Sequence, residues 1–462
     1  MQRALAFDRS PALSVAFRFF LNVPAFLMLS AVVLAWLGLS DTAYTRWNPA
    51  VLAVAHFLTL GVLASAMLGA MMQILPVATH IHVLQPRITS PVVHACLTLG
   101  TLALATGFIT VNPTLHVVAV ILLAAAFTFF ICAVTGGLIR DRHQRSPGSG
   151  EILVAVRLAL LALAITVGLG LFMAGLRGGL WSVGATQAGA WLHGLPDLHV
   201  TWGLAGWVGL LVAGISYQVI PIFQATEIYP RLMTDTLAPL VFLLLAVLTL
   251  SGAWQASPSL DATLPQLAAA SGLALAYLIY AVTTGYLLWT RKRPAPEPTT
   301  WFWHAGMVSL LLASLLGATR VWLPTPAPST MEMLLGTLLI PGFAVSAVNG
   351  MLYKIIPFLL WHNAQRRAPM ALPFIPKVRQ FISERDALRQ FVAHACAVVL
   401  LAAACMVPIL LLPAALALAV SAALLSINIA RALRLYLNTC QRIARTLAQL
   451  PQATAATRPG AQ

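Results

Sequence analysis

Charge is scarce in this chain, and acidic charge most of all. Asp, Glu, Lys and Arg make up 8% of the 462 residues, against ~25% in an average globular protein. The twelve carboxylates all sit at the ends of apolar runs or between them. Carboxylates within a membrane segment commonly mark proton relays and cation pathways, so their absence argues against a proton pump and weakens a proton-coupled transporter. Walker A, HExxH and nucleophile-elbow patterns are missing too, which leaves no support for a nucleotide-driven motor or a hydrolase. The five cysteines, Cys96, Cys132, Cys396, Cys405 and Cys440, form no CxxC, and their placement speaks against disulfides.

Hydrophobic residues, at 60%, are what the chain has instead. Apolar runs of about 18 residues or more recur along its length, each long enough to cross a bilayer as a helix. The reading is an all-α polytopic membrane protein whose main partner is the lipid bilayer. Twelve spans are predicted near 16–39, 51–76, 90–111, 115–139, 153–175, 199–222, 236–253, 265–290, 302–322, 331–358, 390–411 and 413–434. The first is too long for a signal-peptide core and lacks an A-x-A site, so it is read as a retained helix.

Orientation follows from Lys and Arg. With the N-terminus inside, twenty of the 27 basic residues fall on the inner side. Only Arg46, Arg177 and Arg320 fall outside. That bias predicts cytoplasmic termini in a bacterial-type inner membrane. The net charge of +15 then faces an anionic leaflet. No basic block is interleaved with stacking aromatics, so nucleic acid is not an expected partner.

One pattern repeats. "GVLASAMLGAMMQILP" (Gly61–Pro76), "GWVGLLVAGISYQVIP" (Gly206–Pro221) and "GFAVSAVNGMLYKIIP" (Gly342–Pro357) share Gly, a second Gly eight residues on, Gln or Lys four further, and Pro three further. The copies end spans two, six and ten, which makes a threefold repeat of four-helix units. The units are 1–150, 151–300 and 301–436, followed by a cytoplasmic tail, 437–462. At 100° per residue the motif occupies an arc of roughly 120°. The first expectation is a helix-packing seam; a conduit using Gln73, Gln218 and Lys354 is the alternative. Lys354 is expected to reach the interface or to pair with the sister positions. Weaker echoes are "VVHAC" and "VAHAC" (His94, Cys96; His394, Cys396), and Arg18, Arg157 and His304 near the starts of spans one, five and nine. "FISERDALRQF" (381–391), at the end of the polar segment 362–389, reads as a short interfacial helix.

Three four-helix sets resemble subunit I of the haem–copper oxidase superfamily, which includes nitric-oxide reductases and a related family linked to nitric-oxide response. "AHFLTLGVL" (His56, Gly61) and "LHVTWGLAGWVGL" (His199, Gly203) are similar to that superfamily's histidine-bearing helix openings. The resemblance implies a low-spin haem held by span-two and span-ten histidines, and copper held by one histidine on span six and two on span seven. Spans ten and seven contain no histidine. What the resemblance then implies is a non-catalytic protein that binds haem or copper and serves nitric-oxide response, respiratory assembly or metal handling. Its partners would be respiratory-chain or metal-handling membrane proteins. The expected cofactor ligands are His56 and His199, with His193, Met331 and Met333 as further metal donors where the third repeat opens on "MEM". His80 and His82, two residues apart, form a lesser metal candidate. A permease on the same frame, or a structural accessory subunit, are the competing readings.

Overall fold

The computed structural model describes residues 6–40, 42–144, 149–183, 189–254, 263–293, 295–323, 328–367 and 374–449. Among them there is no strand. Twelve helices are long and apolar enough to cross a membrane: α1 (Leu13–Gly38), α2 (Pro49–Thr79), α3 (Pro86–Thr110), α4 (Pro113–Arg140), α5 (Gly150–Gly178), α6 (Gly194–Gln224), α7 (Arg231–Gly252), α8 (Thr263–Trp289), α9 (Pro298–Trp322), α10 (Ser329–Arg367), α11 (Glu384–Ala404) and α12 (Pro408–Arg445). Five of them open on a proline, at Pro49, Pro86, Pro113, Pro298 and Pro408, where the missing N–H costs no helix bond. Asn48 and Asn112 cap α2 and α4, their side chains accepting from Ala50 N and Leu115 N.

The helices form a closed ring around a three-helix centre. Neighbouring pairs α3–α4, α7–α8 and α11–α12 pack within repeats; α4–α5, α8–α9 and α12–α1 join them, so the last helix lies against the first. The start of α1 and the end of α12 share one face, called basal below; the other is distal. At the centre, α10 touches both α2 and α6.

The repeated glycines fix this arrangement. A Cβ built on Gly69 would lie 2.8 Å from Phe19 Cβ, and one on Gly350 would lie 2.7 Å from Phe302 Cβ. Gly214 meets Ala155 still more closely. Seven residues along each partner helix, Gly61 faces Phe26, Gly206 faces Ala162 and Gly342 faces Ser309. Each copy thus packs two glycines against two positions of its repeat's first helix, in one register. The seam is a packing device. Under that register Arg157 and His304 correspond, while Arg18 falls three residues out of step.

Each central helix also widens into a π-helical segment: Phe57–Ala64, Trp202–Gly209 and Leu338–Val345. All three run from four residues before the first motif glycine to three after it. A π turn displaces carbonyls from their regular partners. The carbonyl just before that glycine accepts a hydroxyl in every copy: Leu60 from Ser65, Ala205 from Tyr277, and Pro341 from Ser346.

One expectation about the basal face changes, and the start of the tail takes a definite form. "FISERDALRQF" is no separate interfacial helix. A single turn, Val378–Phe381, ends at Ile382, and Ser383 caps α11, which starts at Glu384 and runs straight into its span. The tail predicted from residue 437 continues α12 as helix to Gln449. Leu433, Tyr436, Cys440 and Ile443 recur at helical spacing along it, and Tyr436 Oη donates to Asn363 Oδ1 of α10 at 2.6 Å. Residues 450–462 lie outside the described residues.

Candidate functional site

His56 is the last residue of α2 before its π segment, and His199 stands three residues before that of α6. The structure brings them together. Their ring centroids are 6.4 Å apart, with planes 21° from parallel. His56 Nδ1 lies 2.7 Å from Leu52 O, and His199 Nδ1 lies 2.9 Å from Thr166 O on α5. A carbonyl only accepts, so each Nδ1 carries the proton and each neutral ring keeps a bare Nε2. Gly170 makes room for this: a Cβ there would come within 2.8 Å of His199 Cε1.

A second ring system continues the site. Phe108 of α3 lies 5.2 Å from the His56 centroid and 5.2 Å, edge-on, from that of His116 on α4. The Arg177 guanidinium stands 5.3 Å over Phe108. His116 is buried, its Nδ1 bonds Asn112 O at 2.9 Å, and its Nε2 has no partner. In the sequence His116 groups with the outer-side histidines His56, His193 and His199 but is given no ligand role. It belongs to the α3–α4 hairpin and has no counterpart in the other repeats, so only its imidazole chemistry could have drawn notice.

The further expected donors are placed differently. The His193 side chain lies outside the described residues. Met333 is buried and Met331 half-buried, on the first turn of α10, which packs on α9 and α11. Glu332 between them is what reaches the other repeats. Its carboxylate lies 3.0 Å from Arg46 and 2.7 Å from Arg320, and Arg46 lies 2.5 Å from Asp197 of α6. The distal ends of the central helices therefore converge, joined by ion pairs. Among the described residues no group of three or more His, Cys, Asp and Glu could hold a metal ion.

The basal histidines make structural bonds. His94 Nε2 meets Asn22 Oδ1 at 3.1 Å, and Asn22 donates to Ser65 at 3.1 Å. His394 Nε2 meets Ser346 directly at 2.9 Å. Ser65 and Ser346 are equivalent motif positions, so the two echoes in the sequence mark the same support of a π segment. Cys96 is half-buried but Cys396 is exposed, so the pairs do not share a ligand environment. His80 closes α2 in the left-handed region at φ 63°. His82 donates its backbone N–H to Asp141 at 2.8 Å. The Arg140 guanidinium beside Asp141 holds that carboxyl well below its usual range, with help from the His82 bonds.

Two of the three polar motif residues are engaged with groups outside the seam. Gln73 donates to Ser10 at 3.0 Å. Lys354 pairs with Glu297 from the link before α9 instead of with its sister positions. Between α2, α6 and α10 lies a cavity of about 150 Å³ lined mainly by apolar side chains, among them Met67, Met71, Ile215, Val348 and Met351. Comparison with family models and with curated proteins gives no match to this chain.

Proposed function

We propose that this integral membrane protein binds haem or copper through His56 and His199 at its distal face, without turning over oxygen or nitric oxide. The observation that carries the reading is the geometry of that pair. Metal–nitrogen bonds of about 2.0–2.1 Å would put the centres of two ligating imidazoles roughly 6 Å apart if their Nε2 atoms turned toward one ion. The rings here stand 6.4 Å apart, 21° from parallel. Tethering of the other ring nitrogen to a backbone carbonyl is the usual support of a ligating imidazole. His56 and His199 would be the two residues that hold a haem iron or a reduced copper ion. Arg177 beside the pair favours haem, whose carboxylates would meet that cation. When bound, the group would supply electron transfer. This chain's own residues hold the imidazoles in one tautomer and shield them with Phe108. A role in nitric-oxide response, respiratory assembly or metal handling, and cytoplasmic termini in a bacterial-type inner membrane, belong to the same proposal.

The test is spectroscopic. Protein purified from cells supplied with haem and copper should carry a haem absorption band or stoichiometric copper. His56→Ala and His199→Ala should each lose it, and His116→Ala, one ring further out, should keep it. Wild-type protein carrying neither haem nor copper would overturn the reading.

A further inference from the structure

At the basal face, three guanidinium-bearing side chains surround one cavity. Its volume is about 490 Å³, and its lining includes Ser10 and Ala12 before α1, Pro86 and Arg87 at the start of α3, and Asn363, Arg366 and Arg367 at the end of α10. No carboxylate lines it. Among the described residues Arg87 has no ion pair, Arg366 is engaged only through the Ser10 carbonyl at 2.9 Å, and Arg367 lies 6.0 Å over the Tyr436 ring. The nearest acid in sequence, Asp8, is exposed on the turn Phe7–Arg9 and does not line the cavity. Three like charges around one concavity repel, and among the described residues no carboxylate pairs with them.

We infer that the cavity binds a phosphate group, and that its source is the headgroup of an anionic phospholipid. Arginine suits this because its planar fork bonds two phosphate oxygens at once. The first turn of α3, which carries Arg87, adds the positive end of the helix dipole. The lipid source follows from position. The cavity lies where α1 and α3 begin their apolar windows, at the level of a headgroup, and basic pockets between spans at that depth take anionic lipids. It also lies between the first and third repeats, so a lipid there would join the two ends of the ring. The sequence has the charge to attract such lipids, with a net +15.

The experiment uses full-length protein in a neutral detergent with added phosphatidylglycerol, phosphatidylcholine or inorganic phosphate. Phosphatidylglycerol should raise the melting midpoint of the wild type by at least about 2 °C, and phosphatidylcholine should not. The shift should vanish in an Arg87→Gln, Arg366→Gln, Arg367→Gln variant. It should survive in Arg434→Gln, Arg445→Gln, which removes two exposed arginines of α12 outside the cavity. Native mass spectrometry of each protein should show one retained phosphatidylglycerol lost only with the cavity arginines, a readout independent of any change in basal stability. Equal shifts and equal lipid retention in all three proteins would overturn the site. A variant-sensitive shift with inorganic phosphate alone would overturn the lipid source.

Discussion

Lys354 shows what a single residue of the repeat does when its chemistry changes. It stands where the other copies have Gln73 and Gln218, and its ammonium pairs with Glu297, which also holds Arg293 at 3.0 Å and Arg379 at 3.7 Å. The two halves of this cluster are unequal. Removing Lys354 leaves Glu297 two partners, whereas removing Glu297 leaves three cations together. Glu297→Gln should therefore destabilise by about 1–2 kcal/mol and Lys354→Gln by less, a modest scale because the cations are partly exposed and screened. Half-burial alone would raise the Glu297 pKa, but the Lys354 hydrogen bond and the neighbouring charges outweigh it and hold it below the ordinary value. A carboxyl depressed in the folded state contributes stability above its unfolded pKa of about 4.3, and that contribution fades as pH falls. Thermal midpoints should be level from neutral pH to about 5 and drop below about 4, with a shallower drop in Glu297→Gln. The sequence could not reveal this pairing, since the partners are 57 residues apart and Glu297 lies in a link.

At the scale of the element, the spacing of the motif was legible and its partners were not. Gly, Gly, Gln/Lys and Pro recur at fixed intervals, but the surfaces they pack on read Phe19 and Phe26, Ala155 and Ala162, Phe302 and Ser309. Packing needs only that glycine and neighbour together fill the same gap, so identity drifted while register held. The π segments were equally hidden, because a widened turn depends on what takes up its displaced carbonyls. One of those groups, Tyr277, comes from α8, far from its carbonyl in sequence. Direct consequences attach to the glycines. Gly350→Ala would drive a Cβ to 2.7 Å from Phe302 Cβ, and Gly214→Ala would press against Ala155. Both partners are anchored close to backbone and cannot swing away, so each change should cost about 1–3 kcal/mol. Gly285→Ala on α8 meets nothing within 4 Å. It should be neutral or stabilise by up to about 1 kcal/mol through helix propensity. Unfolding midpoints of the three variants in detergent check the contrast; equal losses at all three sites would contradict the shared packing register.

For the whole molecule, apolar run lengths were enough to find twelve spans, and the motif was enough to group them in three sets of four. His56 and His199 were legible as openings of equivalent helices, while Phe108, His116 and Arg177 were not, because that corner is built by one repeat meeting the next. Closure of the ring was also invisible in the sequence, since nothing in a linear chain says that α12 returns to α1. The contact is close: a Cβ on Gly38 would lie 3.3 Å from Leu412 Cβ and 2.9 Å from Leu412 N. Disulfides form where Cβ atoms are about 3.5–4.5 Å apart, so a shift of a few tenths of an ångström brings a Cys pair into range. With the five native cysteines replaced, Gly38→Cys with Leu412→Cys should crosslink under mild oxidation. Cleavage at a protease site inserted between α10 and α11 should then leave both fragments joined on a non-reducing gel and separate them on reduction. Each single Cys variant should separate under both conditions. Fragments of the double variant that part without reductant would mean that the first and last helices do not meet, and the closed threefold ring would have to be abandoned.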